Sequence, residues 1–254
     1  MTLAHEEVGT GRPVVVLLHA FPLSRAMWQP QRAALADCCR LLTPDLPGFG
    51  DSALLSSTPS VDSMADAVAG WLDHLGMAEP VILGGLSMGG YISLAFARRH
   101  GARLAGLILA DTKAEPDDDT AKANRDKMIG FASTNPAGAV IEQMLPKLVA
   151  AGAAPLVREQ VRRIGSAQRP GGIIAALQAL RNRPDATPTL ATIRVPTLIV
   201  VGQEDALTPP AQAEAMARAI PNARQVVIPG AGHLANLEAP EAFNTALRSF
   251  VQPR

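Results

Sequence analysis

Short apolar runs, each followed by a turn and then by a helix-sized interval, recur along this chain of 254 residues. The first run, Val14–Leu18, is too short for a helix and rich in β-branched residues, so it predicts a strand buried on both faces. Strands that alternate with helices require right-handed crossovers, so the sequence predicts an open, mostly parallel α/β sheet flanked by helices. The other predicted strands are Arg40–Pro44, Val81–Leu86, Leu104–Ala110 and residues 197–201 and 225–228.

Helix signals fill the intervals between these strands. Ser60 and Asp62 can cap a helix whose apolar positions recur with helical spacing, and Gly76 marks its end. In such a sheet, ligands bind outside the carboxyl ends of the strands. Further helices are predicted over Met88–His100, residues 209–220 and Pro240–Val251.

The segment 112–188 interrupts the alternation, because it has amphipathic helical stretches but no strand pattern. Proline and glycine divide it into about four short helices. The sequence therefore predicts a core domain formed by residues 1–111 and 189–254, with an inserted helical cap, or lid, at residues 112–188. A few large apolar cap residues are interpreted as ordinary helix packing: Met128, Phe131, Met144 and Leu145.

Charge and composition disfavour several classes of partner. The formal net charge is zero and no block of five like charges occurs, which disfavours nucleic acid and anionic membranes. No run reaches the roughly 18 apolar residues of a membrane span, and the first residues do not resemble a signal peptide, so we expect a cytoplasmic protein. Cys38 and Cys39 are adjacent and are interpreted as reduced thiols. No metal or cofactor is expected, and a homo-oligomer is compatible with the sequence.

One serine lies between two glycines where an apolar run gives way to a helix, in the segment 85–89, Gly-Leu-Ser-Met-Gly. This is the pattern of a nucleophile on a sharp strand-to-helix turn. The flanking glycines let strand and helix approach, and the N–H of Met88 would face the atom that Ser87 attacks. A glycine-rich turn with an ordinary serine is the alternative, since five-residue patterns also occur by chance.

A serine hydroxyl needs a base within hydrogen-bond reach, and the base needs an acid that fixes its tautomer. His233 lies in a glycine-rich loop just past the last predicted strand, so it is the candidate base. Asp205 follows the strand at 197–201 and precedes His233 in the chain, which makes it the candidate acid. Asp111 and Glu204 stay open as rivals for that role.

The order serine, acid, histidine, with each residue past a strand end, resembles the α/β-hydrolase family. The chain is similar to bacterial carboxylesterases and to 3-oxoadipate enol-lactonases. The resemblance covers nearly the full length and implies the α/β-hydrolase fold, with Ser87, Asp205 and His233 as the catalytic residues. Five segments carry it: residues 17–22, 45–52, 85–89, 202–205 and 230–233.

The resemblance also identifies an oxyanion hole. In this family the loop after the first central strand supplies one N–H group and the residue after the serine supplies the other, which implies the backbone N–H groups of Phe21 and Met88. His19 would be structural and brace the loop. Ala20 departs from the family pattern, which usually has glycine after this histidine, and the pair at residues 21–22, Phe-Pro, resembles the loop of esterases with perhydrolase activity.

A serine at position 87, where dehalogenases and epoxide hydrolases of the family use aspartate, indicates carbonyl chemistry. The resemblance implies a serine esterase that cleaves carboxylic esters through an acyl-enzyme. The zero net charge and the apolar cap favour small neutral or aryl substrates. Enol-lactone hydrolysis and a perhydrolase-type activity are alternatives, and a ligand-binding receptor or pseudoenzyme on the same fold stays open. The expected partner is a small-molecule ester or lactone. A lactonase acting on a carboxylated substrate would need a cationic anchor in the cap, with Arg125, Lys127, Arg158, Arg162 and Arg163 as candidates.

Overall fold

The computed structural model describes residues 2–252 and contains one seven-stranded sheet. Its strands follow the chain as β1 (His5–Val8), β2 (Val14–Leu18), β3 (Arg40–Pro44), β4 (Val81–Leu86), β5 (Leu104–Ala110), β6 (Thr197–Gly202) and β7 (Ala223–Ile228). In space their order is β1-β3-β2-β4-β5-β6-β7, with β1 antiparallel to β3 and every other neighbouring pair parallel. The predicted mostly parallel α/β sheet is confirmed.

Strand β1 was not predicted. It has only four residues, and its two glutamates are exposed, so it carries no apolar run. Short, charged strands are typical of sheet edges, where pairing comes from the backbone and not from a buried face. Here Glu6 pairs with Thr43 and Val8 with Leu41 across the antiparallel edge. Cys38 and Cys39 are free thiols just before β3.

Eleven α-helices lie within residues 2–252. They are α1 (Gln29–Leu35), α2 (Val61–His74), α3 (Met88–His100), α4 (Asp119–Thr134), α5 (Ala137–Leu148), α6 (Pro155–Ser166), α7 (Pro170–Arg181), α8 (Thr187–Leu190), α9 (Pro210–Ala219), α10 (Ala235–Glu238) and α11 (Pro240–Val251). Two short 3₁₀ helices also occur: Arg25–Trp28 lies directly before α1, and Gly101–Arg103 directly after α3. No helix in this described range has both the length and the apolar composition needed to cross a membrane.

Both faces of the sheet are buried, as the apolar runs predict. Alternate residues of β2 separate into two clusters: Val16 contributes to the core beneath α2 and α3, and Val15 to the core beneath α1 and α11. Helix α2 begins with the predicted cap, since Ser60 accepts a hydrogen bond from the N–H of Ser63 at 3.0 Å. Gly76 follows this helix with a φ of 69°, a conformation that favours glycine.

The carboxyl ends of the central strands lie level at one edge of the sheet. The pairing register places them there, with Leu18 opposite Gly85, Leu86 opposite Ala110, and Ala110 opposite Val200. Loops that follow these strands are therefore brought together although they are far apart in the chain.

Between β5 and β6 the chain forms four helices of 12 to 16 residues, α4 to α7, and the short α8. Helix α4 packs on α7, and α5 packs on α6. The two ends of this segment lie next to each other, because the N–H of Ala186 donates to the carbonyl oxygen of Ala114 at 3.0 Å. The division into a core and a cap at residues 112–188 stays a prediction.

Candidate active site

Ser87 lies on a strained turn between β4 and α3. Its φ is 54° and its ψ is −110°, a conformation that non-glycine residues rarely adopt. The glycines of the motif are required by space: a Cβ on Gly85 would lie 2.1 Å from the carbonyl carbon of Gly89, and one on Gly89 would lie 2.2 Å from the carbonyl oxygen of Leu18. The predicted sharp turn is therefore present, and it exposes the serine at the edge of the sheet.

Asp205 lies in the loop after β6 and is held by four donors. Its Oδ1 accepts the N–H groups of Leu207 at 2.8 Å and Thr208 at 3.0 Å. Its Oδ2 accepts the Thr208 hydroxyl at 2.5 Å and Nδ1 of His233 at 2.8 Å. Burial alone raises the pKa of Asp205, but the charge and hydrogen bond of His233 together with the Thr208 donors outweigh it, so the net pKa lies below its ordinary value. A carboxylate held in this way fixes the imidazole with Nε2 turned away from it.

Asp111, the rival acid, forms no hydrogen bond with His233 within residues 2–252. It is buried at the end of β5 with a φ of 42°, and its Oδ1 accepts the N–H of Gly202 at 2.7 Å. Burial, and then the negative charge of Asp205, raise the pKa of Asp111 well above its usual value, which favours the neutral acid. Glu204 is exposed. Asp205 is thus the carboxylate that the structure brings to His233.

Glu238, which sequence reasoning missed, holds the loop that carries His233. Its Oε1 accepts the N–H of Gly232 at 3.0 Å and its Oε2 accepts the N–H of Ala150 at 2.7 Å. The same loop is bonded once more to the end of α5, where the N–H of Leu234 donates to the carbonyl oxygen of Leu148 at 3.0 Å. Burial raises the pKa of Glu238. No sequence pattern marks this residue, because its partners are loop N–H groups from two distant segments.

The two predicted oxyanion donors are available. Within residues 2–252, no hydrogen bond to the protein uses the N–H of Phe21 or of Met88. His19 is fully buried and joins two loops, since its Nε2 accepts the N–H of Leu46 at 2.9 Å and its Nδ1 lies 3.0 Å from the carbonyl oxygen of Ala20. Burial lowers the pKa of His19. These contacts match the bracing role that the resemblance implies.

Ser87 and His233 line the same cavity, which has a volume of about 200 Å³. No hydrogen bond joins the two side chains among the described residues, a separation that is common before substrate binds. Phe21 lies on the wall beside them. The rest of the apolar wall consists of Ala121, Met144, Leu148, Leu180 and Leu207. Met144 was expected to be plain packing and instead faces this cavity.

The cavity also contains charge, which a neutral substrate would not require. Lys113 and Arg125 both line it, together with Asp117 and Tyr91. Arg125 is thus the one cap candidate of the sequence analysis that reaches the cavity of Ser87, while Lys113, at the end of the β5 loop, was missed.

The other candidates point elsewhere. Arg158 bonds the carbonyl oxygens of Ala150 and Ala151, Arg162 pairs with Glu142, and Arg163 is exposed. A neighbouring cavity of about 250 Å³ shares Phe21, Arg125 and Met144 with the first and extends between α4 and α5, where Met128 also lines it. Lys127 lines a third cavity, which shares Asn124, Met128 and Lys147 with the second one. Among residues 2–252, no three His, Cys, Asp or Glu side chains are grouped in a way that could hold a metal ion.

Comparison with known proteins identifies the family. Residues 15–246 match the alpha/beta hydrolase family. The chain belongs to this family. That assignment agrees with the sheet order and with the turn at Ser87. It also agrees with the positions of Asp205 in the loop after β6 and of His233 in the loop after β7. The chain is a hydrolase of the α/β class.

Several relatives of this α/β-hydrolase are similar over nearly their full length. A thermophilic esterase from Thermogutta terrifontis, solved with malate bound, is 45% identical with a TM-score of 0.94, covering 98% of this chain and 92% of that one. The enol-lactonase from Burkholderia xenovorans LB400 is 29% identical with a TM-score of 0.89, covering 98% and 95%. A pimeloyl-(acyl-carrier protein) methyl ester esterase from Neisseria meningitidis serogroup C is 32% identical over 249 residues, covering 94% and 93%.

Proposed function

We propose that this α/β-hydrolase is a serine hydrolase of small carboxylic esters that works through Ser87, His233 and Asp205. The observation that carries the proposal is the buried 2.8 Å hydrogen bond between Asp205 and His233, beside the cavity that His233 shares with Ser87. A strained nucleophile, an imidazole with a fixed tautomer and two free N–H groups are the parts that acyl transfer needs.

The reaction follows from the positions of these groups. Ser87 Oγ attacks the ester carbonyl carbon while His233 Nε2 takes its proton, and Asp205 stabilises the resulting imidazolium. The N–H groups of Phe21 and Met88 donate to the oxyanion of the tetrahedral intermediate. His233 then gives the proton to the departing alcohol, which leaves an acyl ester on Ser87. Water, deprotonated by His233, attacks that ester; His233 returns the proton to Ser87 Oγ as the acyl–oxygen bond breaks, which releases the acid and restores the serine.

The cavity beside Ser87 is small. Its volume of about 200 Å³ is less than the roughly 300 Å³ at the low end of pockets that hold drug-sized ligands. Apolar side chains such as Leu148 and Leu180 face the space around Ser87. A short acyl or aryl group fits among these apolar side chains. The neighbouring cavity between α4 and α5 has room for a longer group or for the leaving alcohol.

The test is reaction with a fluorophosphonate probe together with hydrolysis of p-nitrophenyl butyrate. We expect stoichiometric labelling that Ser87→Ala abolishes, with loss of nearly all ester hydrolysis. Ser133→Ala is the matched control, because Ser133 is exposed on α4 and bonds only the carbonyl oxygen of Gly130. Ligand-induced stabilisation without labelling or turnover would contradict the proposal and favour a receptor or pseudoenzyme.

Lactone hydrolysis is the second candidate. The similarity to the enol-lactonase from Burkholderia xenovorans LB400 supports it, as do the cations in the cavity, which a lactonase acting on a carboxylated substrate would need. The same groups serve, because a lactone is an ester whose alcohol stays attached to the acid. A panel of matched esters and lactones ranked by kcat/KM distinguishes the two candidates.

A further inference from the structure

Two cations that line the cavity of Ser87 have side-chain N–H groups that donate to no atom of residues 2–252. Lys113 makes no side-chain hydrogen bond or ion pair to any of residues 2–252. Arg125 bonds the protein through Nε alone, to Oδ2 of Asp117 at 3.1 Å, and its side chain is 24% exposed. The two terminal nitrogens of this guanidinium are therefore free to donate to a ligand.

The nearby carboxylate does not neutralise both cations. Oδ1 of Asp117 is bonded to Nη1 of Arg183 at 2.7 Å, and both of these side chains are 3% exposed. Arg183 is held further by stacking over the ring of Tyr91, 4.3 Å from its centroid, and by the carbonyl oxygen of Glu115 at 3.0 Å. Asp117 is thus one negative charge shared by two guanidinium groups, with Arg183 on one oxygen and Arg125 on the other.

The cavity near Ser87 therefore has an excess of positive charge. Of the charged side chains that line it, Lys113 and Arg125 are positive and Asp117 is negative, and Asp117 is shared between Arg125 and Arg183. Cations taken partly out of water without a counter-ion are costly, and that cost is recovered when a bound anion supplies the missing charge. A guanidinium whose orientation is fixed through Nε presents its terminal N–H groups for bidentate bonding to a carboxylate.

We infer that Lys113 and Arg125 form an anion-binding subsite, and that the physiological substrate is an ester or lactone that carries a carboxylate group. The inference rests on the proposed function, because the subsite is defined relative to the nucleophile. It replaces the expectation of a neutral substrate, which came from the zero net charge of the whole chain. Whole-chain charge does not describe a cavity in which a few residues set the local potential.

The first test compares two substrates of equal chain length, mono(p-nitrophenyl) adipate and p-nitrophenyl hexanoate. We expect the kcat/KM ratio of the charged to the neutral ester to fall about tenfold or more in Arg125→Gln and in Lys113→Gln, as loss of a charge-assisted hydrogen bond implies. Arg162→Gln is the control, since this cap arginine pairs with Glu142 outside the cavity, and its ratio should equal that of the unchanged protein.

The second test does not depend on turnover. In a Ser87→Ala background, calorimetry measures binding of monobutyl adipate and of butyl hexanoate. We expect the charged ester to bind about tenfold more tightly or better, and Arg125→Gln to remove this difference. Equal binding of the two esters, or an equal effect of Arg125→Gln on both, would overturn the subsite. Failure of the proposed esterase activity is a separate result, namely binding without hydrolysis of either ester by the unchanged protein.

Discussion

Glu238 provides a sharp test of how the histidine loop is held. Its two carboxylate oxygens accept the N–H of Gly232, next to His233, and the N–H of Ala150, at 3.0 Å and 2.7 Å. Both bonds need an acceptor. Glu238→Gln keeps the size and shape of the side chain but replaces one acceptor oxygen with an NH₂ group, which must then face one of the two N–H donors.

The magnitude follows from this conflict. One buried N–H loses its partner, at a cost of about 1–3 kcal/mol, and the surviving bond is no longer charge-assisted. Part of that loss is offset, because burial raises the pKa of Glu238 and so disfavours the ionised carboxylate that glutamine replaces. We expect the free energy of unfolding to fall by about 1–2 kcal/mol. Because Gly232 adjoins His233, we also expect kcat to fall about tenfold with a smaller change in KM.

The assay pairs urea unfolding with steady-state kinetics on p-nitrophenyl butyrate. Glu241→Gln is the matched control, since Glu241 is exposed in the first turn of α11 and neither measurement should change. A loss of stability with kcat within twofold of the unchanged protein would refute the positioning role and leave Glu238 a purely structural residue. No change in either quantity would refute the hydrogen-bond reasoning itself.

Three further predictions concern the acid pair and the serine turn. Asp205→Asn should lower kcat by about 10⁴-fold, because the imidazole loses the partner that selects its tautomer, and a loss below tenfold would contradict the assignment. Asp111 has a raised pKa, so it stabilises the fold at low pH and this contribution is lost as pH rises toward the raised value. Asp111→Asn, which mimics the neutral acid, should therefore flatten this decline in urea titrations at several pH values, and an unchanged slope would refute it. Gly85→Ala should destabilise the fold by about 1–3 kcal/mol or more in the same titrations, because its Cβ would meet the carbonyl of Gly89, whereas Gly101→Ala has open space and should be nearly neutral.

The sheet was predictable because each of its buried strands carries its own signal. Five apolar residues at Val14–Leu18 cannot complete a useful helix, and burial on both faces removes any need for polar alternation. The boundaries observed for β6 and β7 differ from the predicted ones by one or two residues. Strand β1 had no such signal, since an edge strand of four polar and apolar residues depends on the backbone of β3 for its existence.

The cavity lining was much less predictable than the candidate nucleophile, acid and base. Ser87 and His233 are marked by local glycine patterns and by their positions after strands. The five candidate anchor cations named from the sequence, four arginines and one lysine, all lie on helices whose rotation the sequence does not determine. Lys113 had no pattern at all. Its place in the same cavity as Arg125 follows from where β5 ends and from how α4 packs on α7, and neither can be read from the local sequence.

The two aspartates show why position after a strand could not choose the acid by itself. Asp111 and Asp205 follow the adjacent strands β5 and β6, so both reach the same edge of the sheet. What separates them is the supply of donors: Asp205 receives two N–H groups, a hydroxyl and the imidazole, while Asp111 receives the N–H of Gly202 and leaves Oδ2 without a partner. Two negative charges close together in a buried site are unfavourable, so one carboxylate is ionised and the other is a neutral acid. The aspartate that accepts more hydrogen bonds, Asp205, is the ionised one. The charged member is the one that can stabilise an imidazolium, so the loop around Thr208, more than the strand order, determines which aspartate His233 uses.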